Sequence, residues 1–197
     1  MWMMAAIMIL SGASMIGCGN KTAKQQETKA ETPSQPEAEA KEETTCLTAV
    51  DDYLVNVIGK NYGPSEVTIP CTFVINADQG NPSDILVWGD FWIYNYDIAG
   101  DTLKCVSGGN YPGLMHVKKT ENGFEVSSFD AVADGADNMP SAKRIFGDNF
   151  DAFCEFTGDQ EKRDDIRLRT TADYVKKHNL PVTMLQDYGW PAVALPK

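Results

Sequence analysis

What this chain lacks narrows its chemistry. It has only two histidines in 197 residues, His116 and His178. With no HxH or HExxH pair, no metal centre is expected. None of its five cysteines forms a CxxC pair, which removes zinc-ribbon and thioredoxin-type sites. No GxSxG elbow, Walker loop, GxGxxG fingerprint or Cys-His protease signature occurs, so hydrolase, nucleotide-binding and redox readings lose their main support. No cofactor is implied. Positive charge is scarce: 17 Lys and Arg face 28 Asp and Glu, a net charge of −11. An acidic body is a poor electrostatic match to nucleic acid or anionic lipid, and no nucleic-acid partner is expected.

The densest apolar surface lies in residues 84–98, DILVWGDFWIYNYDI. β-Branched and aromatic residues dominate it, and proline and glycine bracket it, so it reads as one long strand. Even positions carry Leu86, Trp88, Asp90, Trp92, Tyr94, Tyr96 and Ile98, while odd positions carry Ile85, Val87, Gly89, Phe91 and Ile93. Both faces are therefore expected to be covered. Gly89 marks a bulge or bend, and a long bent strand implies a curved sheet with a concave face.

Around it, residues 45–60 place Cys46, Val50, Tyr53, Leu54, Val57 and Ile58 on one helical stripe. Residues 66–76 alternate as a strand, with Pro70 pointing to an edge or bulge. Residues 101–107 form a short partner strand ending in a turn at Gly108-Gly109-Asn110. A hairpin follows around Asn122-Gly123. Residues 146–154 and 160–178 are helical, and Gly147 breaks the first of these. Residues 182–186 read as an edge strand, and the apolar tail from 187 is expected to dock. The fold class is α+β: an N-terminal helix on a curved antiparallel sheet of about five strands, with a C-terminal helical extension.

Asp90 is the residue that most invites a chemical role. A carboxylate between two indoles loses hydration and its pKa rises, which is how a general acid or base is made. Its partner would be His116 or Tyr94. Against this, a mid-strand acid can instead cap a neighbouring backbone, and a lone strand histidine is more often structural. Trp88, Trp92, Tyr94 and Tyr96 form a ladder that either lines a ligand pocket or lies under a helix. Asp187, Tyr188 and Trp190 are candidates for a cleft rim. His178, at a helix end, suits the dipole there.

The first residues belong to targeting, not to the fold. Residues 1–17 are apolar and too short to span a membrane with loops of their own. They end in Met15-Ile16-Gly17-Cys18, which resembles the lipobox of bacterial lipoproteins. That resemblance implies cleavage before Cys18 and palmitate or related acyl chains on it, hence a membrane partner through lipid. The stretch before it carries no Lys or Arg, a departure from the usual signal peptide. Residues 19–43 contain no large apolar side chain and cannot bury enough surface to fold. They read as a tether of roughly 25–30 Å end to end. Gly19 is unlike the aspartate that retains enteric lipoproteins at the inner membrane, which implies the outer membrane, in contact with the periplasm or the surface.

The domain proper is residues 44–197. Its cysteines, Cys46, Cys71, Cys105 and Cys154, fall in apolar settings, where a free thiol behaves as a small hydrophobe. Export would permit disulfides among them, and pairing stays open. A helix followed by a bent aromatic meander resembles, over residues 45–133, the cone-shaped nuclear-transport-factor-2-like and cystatin-like folds. In those groups the sheet interior holds a ligand or an acid–base aspartate, which implies Asp90, and second Asp130. Taken whole, the chain looks like small lipoproteins of Gram-negative gut anaerobes. Three functions follow. The first is a lipid-anchored envelope module binding a small molecule or an envelope protein without catalysis. The second is a cofactor-free lyase or isomerase using Asp90. The third is a structural envelope protein.

Overall fold

A computed structural model describes residues 45–197. The expected signal segment (1–17), the expected lipidation site Cys18 and the expected tether up to residue 43 lie outside the described residues. Thr45 opens helix α1 (Cys46–Tyr53) by accepting the Thr48 amide on its hydroxyl at 3.1 Å, satisfying one of the orphan donors of the first turn. The helix continues as a π-turn over Leu54–Ile58 and a 3-10 turn over Gly59–Asn61. The wider π-turn shifts the phase of the apolar stripe. Ala49, Val50 and Leu54 are buried, but Val57 is carried outward.

Four strands then form an antiparallel meander: β1 (Val67–Asp78), β2 (Ile85–Ala99), β3 (Thr102–Thr120) and β4 (Gly123–Ala131). After them come α2 (Asn138–Phe146), α3 (Phe150–Gly158), α4 (Gln160–Lys177), β5 (Met184–Gln186) and β6 (Val193–Ala194). β5 joins β3 in parallel, making the sheet mixed, in the order β1-β2-β3-β5-β6 with β4 also on β3. The α+β class holds. The expected fifth antiparallel strand and the strand break at 108–110 do not.

Strand β3 runs unbroken through Gly108-Gly109-Asn110. These glycines are there for close approach, not for turning. A Cβ on Gly108 would sit 2.8 Å from the Ile93 carbonyl, and one on Gly109 would strike the Tyr62 hydroxyl. The β3–β4 hairpin also differs from expectation in detail. Its central residues are Glu121 and Asn122, because Thr120 pairs with Gly123, and positive φ is confined to Gly123. Gly89 carries no bulge of its own. The extra residue lies on the partner strand, at Ile75, between the Val74–Gly89 and Asn76–Trp88 pairs. Gly89 lacks a side chain because a Cβ would meet the Phe91 ring at 2.6 Å and the Phe73 carbonyl at 2.7 Å.

The two faces of β2 serve two cores. Odd residues Ile85, Val87 and Phe91 pack with Val50 of α1, with Leu54 of the π-turn, and with Met115 and Val117. On the even face Tyr96 packs with Val67, Ile69, Leu103, Val175 and Leu185. A third cluster, around Phe146 and Phe153, takes in Trp88 and Ile75. The C-terminal helices are therefore the second covering layer of the sheet. Gly147, at φ 50°, separates α2 from α3 as expected. Residues 182–186 do contain a strand, but β5 lies between β3 and β6, not at an edge.

Candidate functional site

Asp90 is 1% exposed, and both carboxylate oxygens are engaged. Oδ2 accepts the Trp92 indole N–H at 2.9 Å and Oδ1 accepts the Asn110 amide at 3.1 Å. Burial raises its pKa, while those two donors and the nearby Arg163 guanidinium pull it back. A carboxylate with both oxygens held by neutral donors is a satisfied buried group. The expected flank of two indoles is half realised, since the Trp88 indole donates instead to the Ile145 carbonyl at 3.0 Å.

The two candidate catalytic residues are not brought together. Asp90 pairs across the strands with Pro112, whereas His116 pairs with Leu86, four residues away or roughly 13 Å along the strand. His116 has its own acids: Nδ1 lies 2.8 Å from Asp84 and Nε2 lies 3.9 Å from Asp130. Tyr94 has no hydrogen bond to Asp90 either; its ring stacks on Trp92 at 5.6 Å and 10°. His178 caps α4 and stacks on Tyr174 at 4.1 Å.

Beyond Trp92 the aromatic ladder runs under a helix. Tyr94 and Tyr96 stack at 6.3 Å, and the Arg167 guanidinium of α4 lies 4.0 Å from the centre of the Tyr94 ring. Arg167 also donates to the Tyr96 hydroxyl at 3.2 Å and forks onto Asp187, with Nη1–Oδ2 2.8 Å and Nη2–Oδ1 2.6 Å. Planar bidentate pairing of this kind is specific to arginine. Burial pushes the Tyr96 phenol up to about 12. The Arg167 hydrogen bonds hold the Asp187 carboxyl below its ordinary range.

Sequence reading missed Arg167 and Asn110. Arg163, Arg167 and Tyr174 recur at helical spacing along the side of α4 that faces the sheet and its neighbours. That spacing was the available signal. Asn110 was hidden by its assignment to a turn.

Open space lies elsewhere. A cleft of about 1000 Å³ separates the second half of α4 from the chain end. Arg169, Asp173 and Lys176 wall one side, and Leu180, Met184 and Leu195 wall the other. Neither Asp90 nor the ladder lines it. The tail docks only in part. Leu195 packs into the second core and its amide bonds Thr183 at 2.9 Å, while Tyr188 and Trp190 stand 96% and 71% exposed and do not line the cleft. The four described cysteines are free. Among the described residues no group of three or more His, Cys, Asp or Glu is placed to hold a metal, and no helix is long and apolar enough to cross a membrane. No family model, curated protein or solved structure matches the chain.

Proposed function

We propose that this chain is a non-catalytic binding module of the cell envelope, held at the outer membrane by lipid on Cys18, with its ligand site in the cleft beside α4. The cleft is the observation that carries the reading. At about 1000 Å³ it is at the upper end of small-molecule sites, which combine apolar walls with a few placed polar groups. Its lining mixes apolar Leu180, Met184 and Leu195 with charged Arg169, Asp173 and Lys176, which suits an amphipathic ligand of roughly drug size. Asp90 supports binding over catalysis because its oxygens are already taken by Trp92 and Asn110.

The ligand site is tested by a thermal-shift screen of amphipathic metabolites on the protein and on two variants. Ala194→Trp fills the cleft, whereas Asp90→Asn leaves it untouched. Hits lost in Ala194→Trp and kept in Asp90→Asn support the assignment. The reverse pattern, with turnover of the ligand, supports the lyase or isomerase reading instead. A screen with no hits on the parent protein leaves the structural-protein reading. The anchor has its own readout: incorporation of labelled palmitate is expected in the parent protein and is expected to be lost in Cys18→Ala. A parent protein that takes up no label, or equal labelling of the variant, rejects lipidation at Cys18.

A further inference from the structure

The outer edge of β3 is only partly used. β5 pairs with residues 102–104 and β4 with residues 113–120. Between them, among the described residues, no strand pairs with the edge of residues 105–112, a gap of roughly 26 Å. The orientation of its backbone groups follows from one contact. The Pro112 carbonyl accepts the Val132 amide at 2.8 Å, so it faces away from β2. Residues in an antiparallel strand alternate between facing one neighbour and the other, so Asn110 and Gly108 also turn their N–H and C=O outward. Both residues are exposed. Proline at 112 costs nothing here, because the N–H it lacks would have pointed the same way.

The gap has a floor, two ends and a grip. The Tyr62 and Tyr111 hydroxyls meet at 2.7 Å beside Gly109 on one face, and Tyr94 lies beside Gly108 on the other. At the first end Gln186 pairs with Lys104, and the chain passes through Asp187 into a turn closed by the Trp190 amide on the Asp187 carbonyl at 3.1 Å. That turn displays Tyr188 and Trp190. Exposed Tyr and Trp on a rigid support are the residue types that dominate binding energy at interfaces. Val106 is an extra residue in β3, lying between the Asn95–Ser107 and Tyr96–Cys105 pairs. This bulge confines regular pairing to the residues after it.

We propose that this open stretch receives a short extended peptide of another protein as an added strand, with Tyr188 and Trp190 gripping one end. A second copy of this chain cannot fill the gap with its own β3. That strand is 19 residues long, and its matching edge is recessed between its own β4 and β5, so the two edges do not meet. The occupant is a free segment of about six residues, bound mainly through main-chain hydrogen bonds to Gly108 and Asn110. The net charge of −11 favours a segment carrying lysine or arginine. This site is separate from the α4 cleft and stands or falls without it.

The test uses the full chain in detergent and a fluorescein-labelled octapeptide of alternating valine and threonine with a lysine at each end. Anisotropy is expected to show saturable binding below 1 mM. Amide hydrogen exchange is expected to slow at Gly108 and Asn110 but not at Gly109, which already faces β2. N-methylation of alternate peptide amides removes the donors and is expected to abolish binding. Replacing both Tyr188 and Trp190 by alanine, which touches no buried contact, is expected to weaken binding at least ten-fold. The proposal is overturned by absence of saturable binding, by equal binding of the N-methylated peptide, or by protection that falls only outside residues 106–112 and the 187–190 turn.

Discussion

Truncating Phe91 to alanine is expected to destabilise the domain by about 4 kcal/mol, within the range for buried aromatic truncations. Phe91 is fully buried at the centre of the first core. Its ring meets Phe129 edge-on at 5.8 Å and 81°, a favoured geometry worth a further fraction of that total. The neighbourhood cannot close over the hole, because the Phe91 ring occupies space that Gly89 leaves by having no side chain. Stability of a single domain is typically 5–15 kcal/mol, so the variant should remain folded but melt roughly 10 °C lower. Urea denaturation followed by circular dichroism measures the change. A loss under about 1 kcal/mol would mean that α1 does not clamp this face of the sheet.

The second large effect is expected at Arg167, where alanine should cost about 3 kcal/mol. Removing one partner of a buried pair leaves the other group uncompensated. Here the guanidinium side chain is 12% exposed and Asp187 is 43% exposed. Solvent can therefore rescue Asp187 in part, which places the estimate at the low end of the range for buried pairs. The same substitution strips the Tyr94 ring of its cation and the Tyr96 hydroxyl of its donors. A lysine replacement restores charge but not the fork, and should recover less than half of the loss.

This pair also predicts a pH dependence. The Asp187 pKa is lowered by its hydrogen bonds from Arg167. Its contribution is thus fully present above the unfolded carboxylate value of about 3.9 and is lost as pH falls through the lower folded value. Asp90 and Asp51, both raised by burial, act in the opposite sense. Their contributions are complete below about 3.9 and decline as pH rises through the folded values. In Asp187→Asn the acid-side loss assigned to this pair should vanish, so wild type and variant should converge in urea midpoint as pH drops below about 4. Parallel midpoints down to pH 2 would show that the ion pair contributes nothing to stability.

Local order was legible wherever one residue pattern had one structural solution. The alternation Val67, Ile69, Cys71, Phe73 points to a strand with one face in a core, and of the edge or bulge that Pro70 suggested, β1 is the edge strand, its bulge lying further on at Ile75. The even and odd faces of residues 84–98 pointed to cover on both sides, which the two helical layers supply. Gly108-Gly109-Asn110 misled because glycine serves two purposes. It permits turns, and it permits close approach, and only the neighbours Ile93 and Tyr62 tell which is needed. Asp90 misled in a similar way. Its burial and raised pKa were foreseeable from the tryptophans around it, but the amide that satisfies it comes from Asn110, on another strand.

The chain by itself determined its α+β class, its long aromatic strand, the break at Gly147 and the helix from residue 160, because each follows from contacts within a few residues of sequence. Only the tertiary structure decided that the aromatic ladder lies beneath α4, that His116 pairs with Asp84 instead of Asp90, and that, among the described residues, no strand pairs with the edge of β3 between β4 and β5. Those outcomes depend on pairings between segments distant in the chain. Register along a strand displaces a side chain by about 3.3 Å per residue, a shift that no local pattern encodes and that separates a catalytic pair from two unrelated residues.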